Sequence, residues 1–99
     1  MTLRALLEEA VGDLDEVESV QAGDGVEWRR GERTFAAVDG DAAEFRLDPL
    51  VATAALRTPD TQPSQRGSDW VRFSPETLDD HTLDRAEAWL ASAWRRAGG

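Results

Sequence analysis

The sequence predicts a two-layer α+β domain in which an antiparallel sheet carries helices on one face. Three observations favour this fold class. Apolar residues recur at helical spacing near both ends of the chain, short apolar runs separated by Gly/Asp turns fill residues 17–47, and a proline-started helix follows them. Because consecutive strands usually pair locally, the helices are left to cover one face of the sheet. The 99 residues suffice for one domain, residues 1–99, with a modest core.

The first predicted element is an amphipathic helix, which Thr2 is placed to cap. Its opposite side carries acidic residues and continues into an acidic segment. This pattern indicates a solvated helix face, with a ridge that attracts cations as the alternative. The apolar stripe follows the spacing i, i+3, i+4, i+7, i+8 and i+11 and consists of Leu3, Leu6, Leu7, Ala10, Val11 and Leu14.

The middle of the chain has the pattern of a three- or four-stranded antiparallel meander. Glycines and acidic residues that favour turns occur at 22–25, 29–32 and 39–41, and Asp39-Gly40 is the strongest hairpin signal. The runs VEWRR, RTFAAV and AEFRL that separate or follow these turns have the composition of strands.

The middle strand, RTFAAV, does not alternate cleanly between polar and apolar residues. Either Phe35 with Ala37, or Thr34 with Ala36 and Val38, could line the core. The sequence leaves both orientations open.

A short helix, a loop, one strand and a long helix complete the predicted order. Asp48-Pro49 supplies an N-cap with proline at the first helical position, and Pro59 ends that helix. Residues 58–69 have the composition of a loop, part of which could be an irregular edge strand or a binding loop. The strand DWVRF follows, and Asp79 or Asp80 caps the last helix. The core-facing stripe of that helix is Leu83, Ala86, Leu90, Ala93, Trp94 and Ala97, with Trp89 at its flank.

Composition argues against several classes of function. The absence of cysteine removes disulfides, thiol catalysis and thiolate metal sites. No apolar run is long enough for a membrane span or a signal peptide, so a cytoplasmic protein is expected. A net charge of −9 disfavours general binding to nucleic acids or anionic membranes. All 11 basic residues are arginine, and Lys, Ile, Asn and Tyr are absent, which indicates a GC-rich genome rather than a need for guanidinium chemistry.

No residue pattern in the chain indicates catalysis. His81 is the single histidine and lies beside Asp79, Asp80 and Asp84 at a helix start, where a solvated histidine is expected. The nucleophile elbow, the P-loop and the dinucleotide-binding glycine motif are all missing. Residues 39–44, DGDAAE, lack the length and ligand spacing of a calcium loop. We therefore expect neither an enzyme nor a cofactor or metal site.

Three stretches together, RRGERTFAAVDGDAAEFRLDP, RGSDWVRFSP and LDRAEAWLASAWRRA, resemble the MmcQ/YjbR-like family of small bacterial proteins over residues 26–97. The resemblance implies a CyaY-like (frataxin-like) fold, with helices on one face of the sheet. DNA binding has been suggested for that family because of its fold, and the charge of −9 argues against it here. The matching features are Arg33 with Phe35-Ala36, Arg46-Leu47 before Pro49, Trp70-Val71, and Trp94.

Strand alternation predicts a binding surface on the helix-free face. If the apolar pairs of AEFRL and DWVRF face the helices, then Trp70, Arg72, Arg46 and Glu44 lie on the other side of the sheet. Tryptophan beside arginine is typical of interface hot spots. Alternatively, Trp70 could be packed by its own loop, residues 58–69, or by a stacked arginine.

These patterns favour a non-enzymatic, cytoplasmic binding domain that uses the sheet face around Trp70. Its partner would be another protein, or a second copy of the chain that pairs through an exposed sheet edge. One alternative is weak metal binding by the acidic N-terminal helix region. Another is nucleic-acid binding through Arg29, Arg30 and Arg33, together with Arg46 and Arg72.

Overall fold

The chain forms an antiparallel sheet that is covered by helices on one face. A computed structural model describes residues 2–98 of the protein. The helices are α1 (Leu3–Val11), α2 (Pro49–Ala55) and α3 (Asp80–Gly98); the strands are β1 (Val17–Ala22), β2 (Gly25–Arg30), β3 (Arg33–Asp39), β4 (Ala42–Arg46), β5 (Thr61–Pro63) and β6 (Trp70–Phe73).

Within residues 2–98, the strands form one six-stranded sheet in the order β1-β2-β3-β4-β6-β5, with every neighbouring pair antiparallel. The predicted α+β class is therefore confirmed. β5 lies inside the segment predicted as a loop, residues 58–69, and is an edge strand there. Its last residue, Pro63, is tolerated because an edge strand has one side without sheet hydrogen bonds.

Two-residue turns connect the first four strands. Gly23, Gly31 and Gly40 each occupy the first turn position with φ between 60° and 65°. An acidic residue follows each glycine at ordinary negative φ, so the turns have the form of type II′. Glycine adopts this positive φ without steric cost, which allows the tight turns. The predicted antiparallel meander is therefore confirmed.

A β-bulge settles the orientation of β3. Trp28 pairs with Ala36, whereas Arg29 pairs with Thr34, so Phe35 is an extra residue on β3. Phe35 and Ala36 both belong to the core, together with Val38. The two orientations left open by the sequence are therefore each correct in part, because a bulge lets two adjacent side chains share one face.

One hydrophobic core lies between the sheet and the helices. Core residues of β4 and β6 are the apolar ones predicted to face the helices, whereas their polar neighbours lie outside the core. Trp89 belongs to this core and packs edge-on against Phe73, with ring centroids 5.1 Å apart, so its predicted flank position is wrong. α3 can bury Trp89 because it contacts β2, β3 and β4 along its length. The helical core residues are Leu3, Leu6, Leu7, Val11, Ala52, Ala55, Ala86, Trp89, Leu90 and Ala93.

The helices begin where capping residues predict. The hydroxyl of Thr2 accepts a hydrogen bond from N–H of Ala5, and a carboxylate oxygen of Asp48 accepts one from N–H of Leu50. Asp79, rather than Asp80, caps α3. None of the helices in residues 2–98 has the length and apolar content that crossing a bilayer requires.

Candidate functional site

A row of in-register residues crosses the helix-free face of the sheet. Glu27 pairs with Ala37, Ala37 with Glu44, Glu44 with Arg72, and Arg72 with Gln62. Directly opposed residues on neighbouring strands share a face and lie within contact distance. The sheet therefore brings residues from five strands into one line.

Trp70 lies on this face but is covered. Its partner across β4 and β6 is Arg46, so the predicted set does share one side of the sheet. However, Trp70 is only 8% exposed, and Cζ of Arg66 lies 5.3 Å from its ring centroid. N–H of Trp70 donates to the carbonyl of Gly67, and N–H of Ser64 donates to the carbonyl of Trp70. The alternative in which Trp70 is packed by its own loop and a stacked arginine describes the structure.

Glu44 lies at the centre of the face, and its carboxylate is occupied. It accepts hydrogen bonds from the hydroxyl of Ser64 and from Nε of Arg66, the latter at 3.0 Å. Nη1 of Arg72 lies 3.7 Å from the same carboxylate. With its side chain only 10% exposed, Glu44 is an anchor for the arginines rather than an outward contact group.

Arg66 connects two strands of the face. Besides Glu44, it donates through Nη1 to Oε2 of Glu27 at 2.8 Å. Since Ala37 stands between Glu27 and Glu44 in the row, the guanidinium lies above that alanine. Burial alone would lower the pKa of Arg66, but its hydrogen bonds to Glu27 and Glu44 outweigh burial and raise the pKa above its ordinary value.

Four arginine side chains lie at the solvent side of this face, and we call them the guanidinium layer: Arg29, Arg46, Arg66 and Arg72. Their side chains are 41%, 42%, 31% and 32% exposed. The carboxylates of Glu27 and Glu44, which pair with three of these arginines, are only 19% and 10% exposed. A groove of about 590 Å³ runs along this layer and is lined by Asp39, Glu44, Gln62, Pro63, Gln65, Arg66 and Arg72.

Sequence reasoning missed Arg66, Glu27 and Ser64. In sequence, Arg66 and Ser64 stand in a polar loop, and Arg66 lies 22 residues from Glu44 and 39 from Glu27. The available signal was Arg66 four residues before Trp70, a spacing that allows an arginine to return over a ring.

The arginines considered for nucleic-acid binding do not form one surface. Arg30 faces the helix side, where Cζ lies 4.0 Å from the ring centroid of Trp94 and Nη1 donates to the Trp94 carbonyl at 3.1 Å. Arg29 lies in the guanidinium layer, and Arg33 lines a different pocket. Strand alternation separates Arg29 from Arg30, because adjacent residues of a strand point to opposite faces.

The start of α3 is a helix cap. Oδ1 of Asp79 accepts a hydrogen bond from N–H of Thr82 at 2.9 Å. Hydrogen bonds from Thr82 lower the pKa of Asp79 below its usual value, helped by the nearby charges of His81 and Arg85. His81 itself is exposed. Within residues 2–98, no group of three or more histidine and carboxylate side chains is placed to hold a metal ion.

Comparison with known proteins supports the fold. No protein-family model and no curated protein matches the sequence. Among solved structures, the chain is similar to the crystal structure of a protein from Pseudomonas syringae, a Northeast Structural Genomics Consortium target. The TM-score is 0.69 at 9% sequence identity, over 95% of this chain and 97% of that one. At this identity the similarity concerns the fold alone.

Proposed function

We propose that this protein is a non-enzymatic binding domain that holds an acidic segment of a protein partner on its helix-free sheet face. The observation that carries the proposal is the guanidinium layer. On a chain of net charge −9, this face offers four arginine groups to the solvent, and the carboxylates of Glu27 and Glu44 are largely covered. Such a face complements carboxylates on a partner.

The arginines of the layer are already ordered before a partner arrives. Glu44 holds Arg66 and Arg72, and Glu27 holds Arg29 and Arg66. Less side-chain entropy is then lost on binding, and the free edges of each planar guanidinium can pair with carboxylate oxygens. Trp70 supports this arrangement from below by stacking with Arg66.

The groove suits an extended partner segment. It crosses the sheet from Gln62 of β5, past Arg72 of β6 and Glu44 of β4, to Asp39 at the end of β3. A segment lying along it would place alternate side chains over Arg66 and Arg72. Partners of this kind include an acidic tail of another protein or the acidic surface of a second copy.

Nucleic-acid binding, the suggestion that accompanies the MmcQ/YjbR-like resemblance, is the second candidate. The guanidinium layer is its best support. Against it, each arginine of the layer already pairs with a carboxylate of this chain. Phosphates would have to compete with those carboxylates, as the carboxylates of a partner would, but the overall charge of −9 repels the dense charge of a nucleic-acid backbone more strongly than that of a short acidic segment.

The proposal is tested with a fluorescent, extended peptide rich in aspartate and glutamate, titrated in low salt and followed by anisotropy. We expect saturable binding that weakens about tenfold in Arg72→Gln, the loss of one charge-assisted contact. The matched control is Arg57→Gln, which removes the same charge from an exposed residue outside the layer. It should change the affinity less than about twofold.

Equal loss in both variants would show that only overall charge matters and would overturn the proposal. Absence of peptide binding to a folded protein would also overturn it. A parallel titration with a DNA oligonucleotide discriminates the second candidate, because tighter binding to DNA than to the peptide favours that candidate instead. Self-association detected by ultracentrifugation and lost in Arg72→Gln would identify a second copy as the partner.

A further inference from the structure

A second pocket lies where β3 begins, β4 ends and α3 makes its last turns. Its volume is about 280 Å³. Phe35 and Ala93, both fully buried, form its apolar floor. Its lining residues are Arg33, Thr34, Phe35, Arg46, Ala93, Arg96 and Ala97, with no acidic side chain among them.

Two of the lining arginines share one carboxylate oxygen. Oδ2 of Asp69 accepts from Nε of Arg46 at 3.1 Å and from Nη1 of Arg96 at 2.9 Å. Asp69 therefore holds two positive groups side by side but supplies a single negative charge. Arg33, which forms no ion pair with residues 2–98, adds a third positive charge. The net charge of this group of side chains is +2.

Two of the three positive groups are held in place by fixed partners. Arg96 also donates to the carbonyl of Leu47, so its guanidinium has two fixed partners. Arg46 is fixed by Asp69 at the end of β4. Like charges at such short range repel one another, and a second anion in the pocket would relieve that repulsion.

We propose that this pocket binds a doubly charged oxyanion, namely a phosphate or phosphate-monoester group. A dianion matches the net charge of +2, which a single carboxylate or phosphodiester does not. Planar guanidiniums present parallel N–H groups at the spacing of phosphate oxygens. The pocket is larger than one phosphate needs, so a small substituent on a monoester has room over Phe35 and Ala97.

This site shares Arg46 alone with the proposed partner surface. Arg46 stands at the border of both, but Arg33 and Arg96 belong to the pocket alone. Arg33 is exposed and its removal leaves the Asp69 contacts intact. Arg33 is therefore the residue to substitute when binding to the pocket is tested.

The test is an NMR titration of the ¹⁵N-labelled full chain with sodium phosphate, against sodium chloride at matched ionic strength. We expect saturable shifts of the amides of Thr34, Phe35 and Ala97 with phosphate only. Arg33→Gln should weaken binding about tenfold. The matched control is Arg95→Gln, since Arg95 is exposed beside Arg96 and does not line the pocket; it should retain the wild-type affinity.

Equal shifts with chloride, no saturation, or the same loss in Arg95→Gln would each overturn the proposal. Two further probes identify the source of the phosphate. Phenyl phosphate represents a small monoester, and an oligonucleotide with or without a 5′-phosphate represents a nucleic-acid end. Binding that requires the terminal phosphate supports the site, whereas equal binding of the unphosphorylated oligonucleotide contradicts it.

Discussion

The carboxylate of Glu44 shows how one residue organises a sheet face. Strand alternation places it opposite Arg72 on the helix-free side, and the loop after β5 brings Ser64 and Arg66 to the same carboxylate. A buried carboxylate is tolerated only when its oxygens are paired, and here the partners come from both directions. Glu44 therefore couples the order of the loop to the order of the arginines.

Replacing Glu44 by Gln tests this coupling. The change keeps the shape and removes the charge, which leaves Arg66 and Arg72 without their shared counter-charge. We expect the free energy of unfolding to fall by about 2 kcal/mol, measured by urea denaturation. Glu87→Gln, on the exposed side of α3, is the control and should cost less than about 0.5 kcal/mol. A similar small loss of unfolding free energy in both variants would show that the ion pairs of Glu44 do not stabilise the fold.

Asp69 gives the fold a dependence on acid pH. Burial alone would raise the pKa of this carboxyl, but hydrogen bonds from Arg46 and Arg96 outweigh burial and hold the pKa below its usual 3.8. A carboxyl whose pKa is lower in the folded chain stabilises the fold above its unfolded pKa, about 3.9. That stabilisation is lost as the pH falls through the folded pKa.

Asp69→Asn should therefore lower the urea midpoint at neutral pH, and the difference from wild type should shrink as the pH falls below about 4. Midpoints measured from neutral pH into the acid range give the comparison. Asp84→Asn, at an exposed position of α3, provides the baseline. A difference between Asp69→Asn and wild type that stays constant with pH would show that the lowered pKa of Asp69 does not cause the loss of stability in acid.

At the scale of elements, the alternation of side chains along β2 decides which arginines face which layer. The bulge at Phe35 adds one aromatic side chain to the core and, beyond it, keeps Arg29 opposite Thr34. β2 itself has no extra residue, so its alternation directs Arg30 to Trp94 on α3 and Arg29 to the guanidinium layer. Alternation along β2 thus divides two adjacent charges between the core edge and the binding face.

Gly25 at the start of β2 offers a test of how closely these strands approach. A Cβ atom there would lie 2.2 Å from the carbonyl oxygen of Val38, a backbone atom held in the sheet. We expect Gly25→Ala to lower the free energy of unfolding by about 2–3 kcal/mol, as overpacking does. Gly12→Ala, where the nearest atom lies 3.2 Å away, should change it by less than about 1 kcal/mol. Thermal and urea denaturation of both variants measure the contrast.

At the scale of the whole molecule, the net negative charge and the ion pairs have opposite effects on the stability of the fold. The net charge of −9 destabilises the compact state through repulsion, whereas the exposed ion pairs add little each. Salt screens both contributions. Because the net repulsion acts over the whole surface, we expect the melting temperature to rise between about 10 mM and about 1 M sodium chloride.

A melting temperature that falls over this salt range would show that the ion pairs, above all those of the guanidinium layer, dominate the electrostatic stability. The same titration on Glu44→Gln separates the two contributions. If net repulsion dominates, the variant, which carries one negative charge less, should gain less from salt than the wild type does.

Local patterns in the sequence determined the elements of this fold. The helical stripes, the capping residues Thr2 and Asp48, the glycine turns and the alternation of β4 and β6 all act between residues close in the chain. They sufficed for the α+β class and for the correct side of the sheet at Trp70, Arg72, Arg46 and Glu44. They failed at Phe35, because a bulge depends on the register of two paired strands.

Only the tertiary structure decided what covers each side chain. Alternation tells which face a residue occupies, but a residue distant in the chain determines whether that face is open. Trp70 is covered because β5 pairs with β6 and returns Arg66 above the ring. In the same way, the pocket of Arg33, Arg46 and Arg96 exists because the sheet end meets the last turns of α3. Burial and charge clustering arise from long-range packing, whereas the elements that pack are set by local sequence.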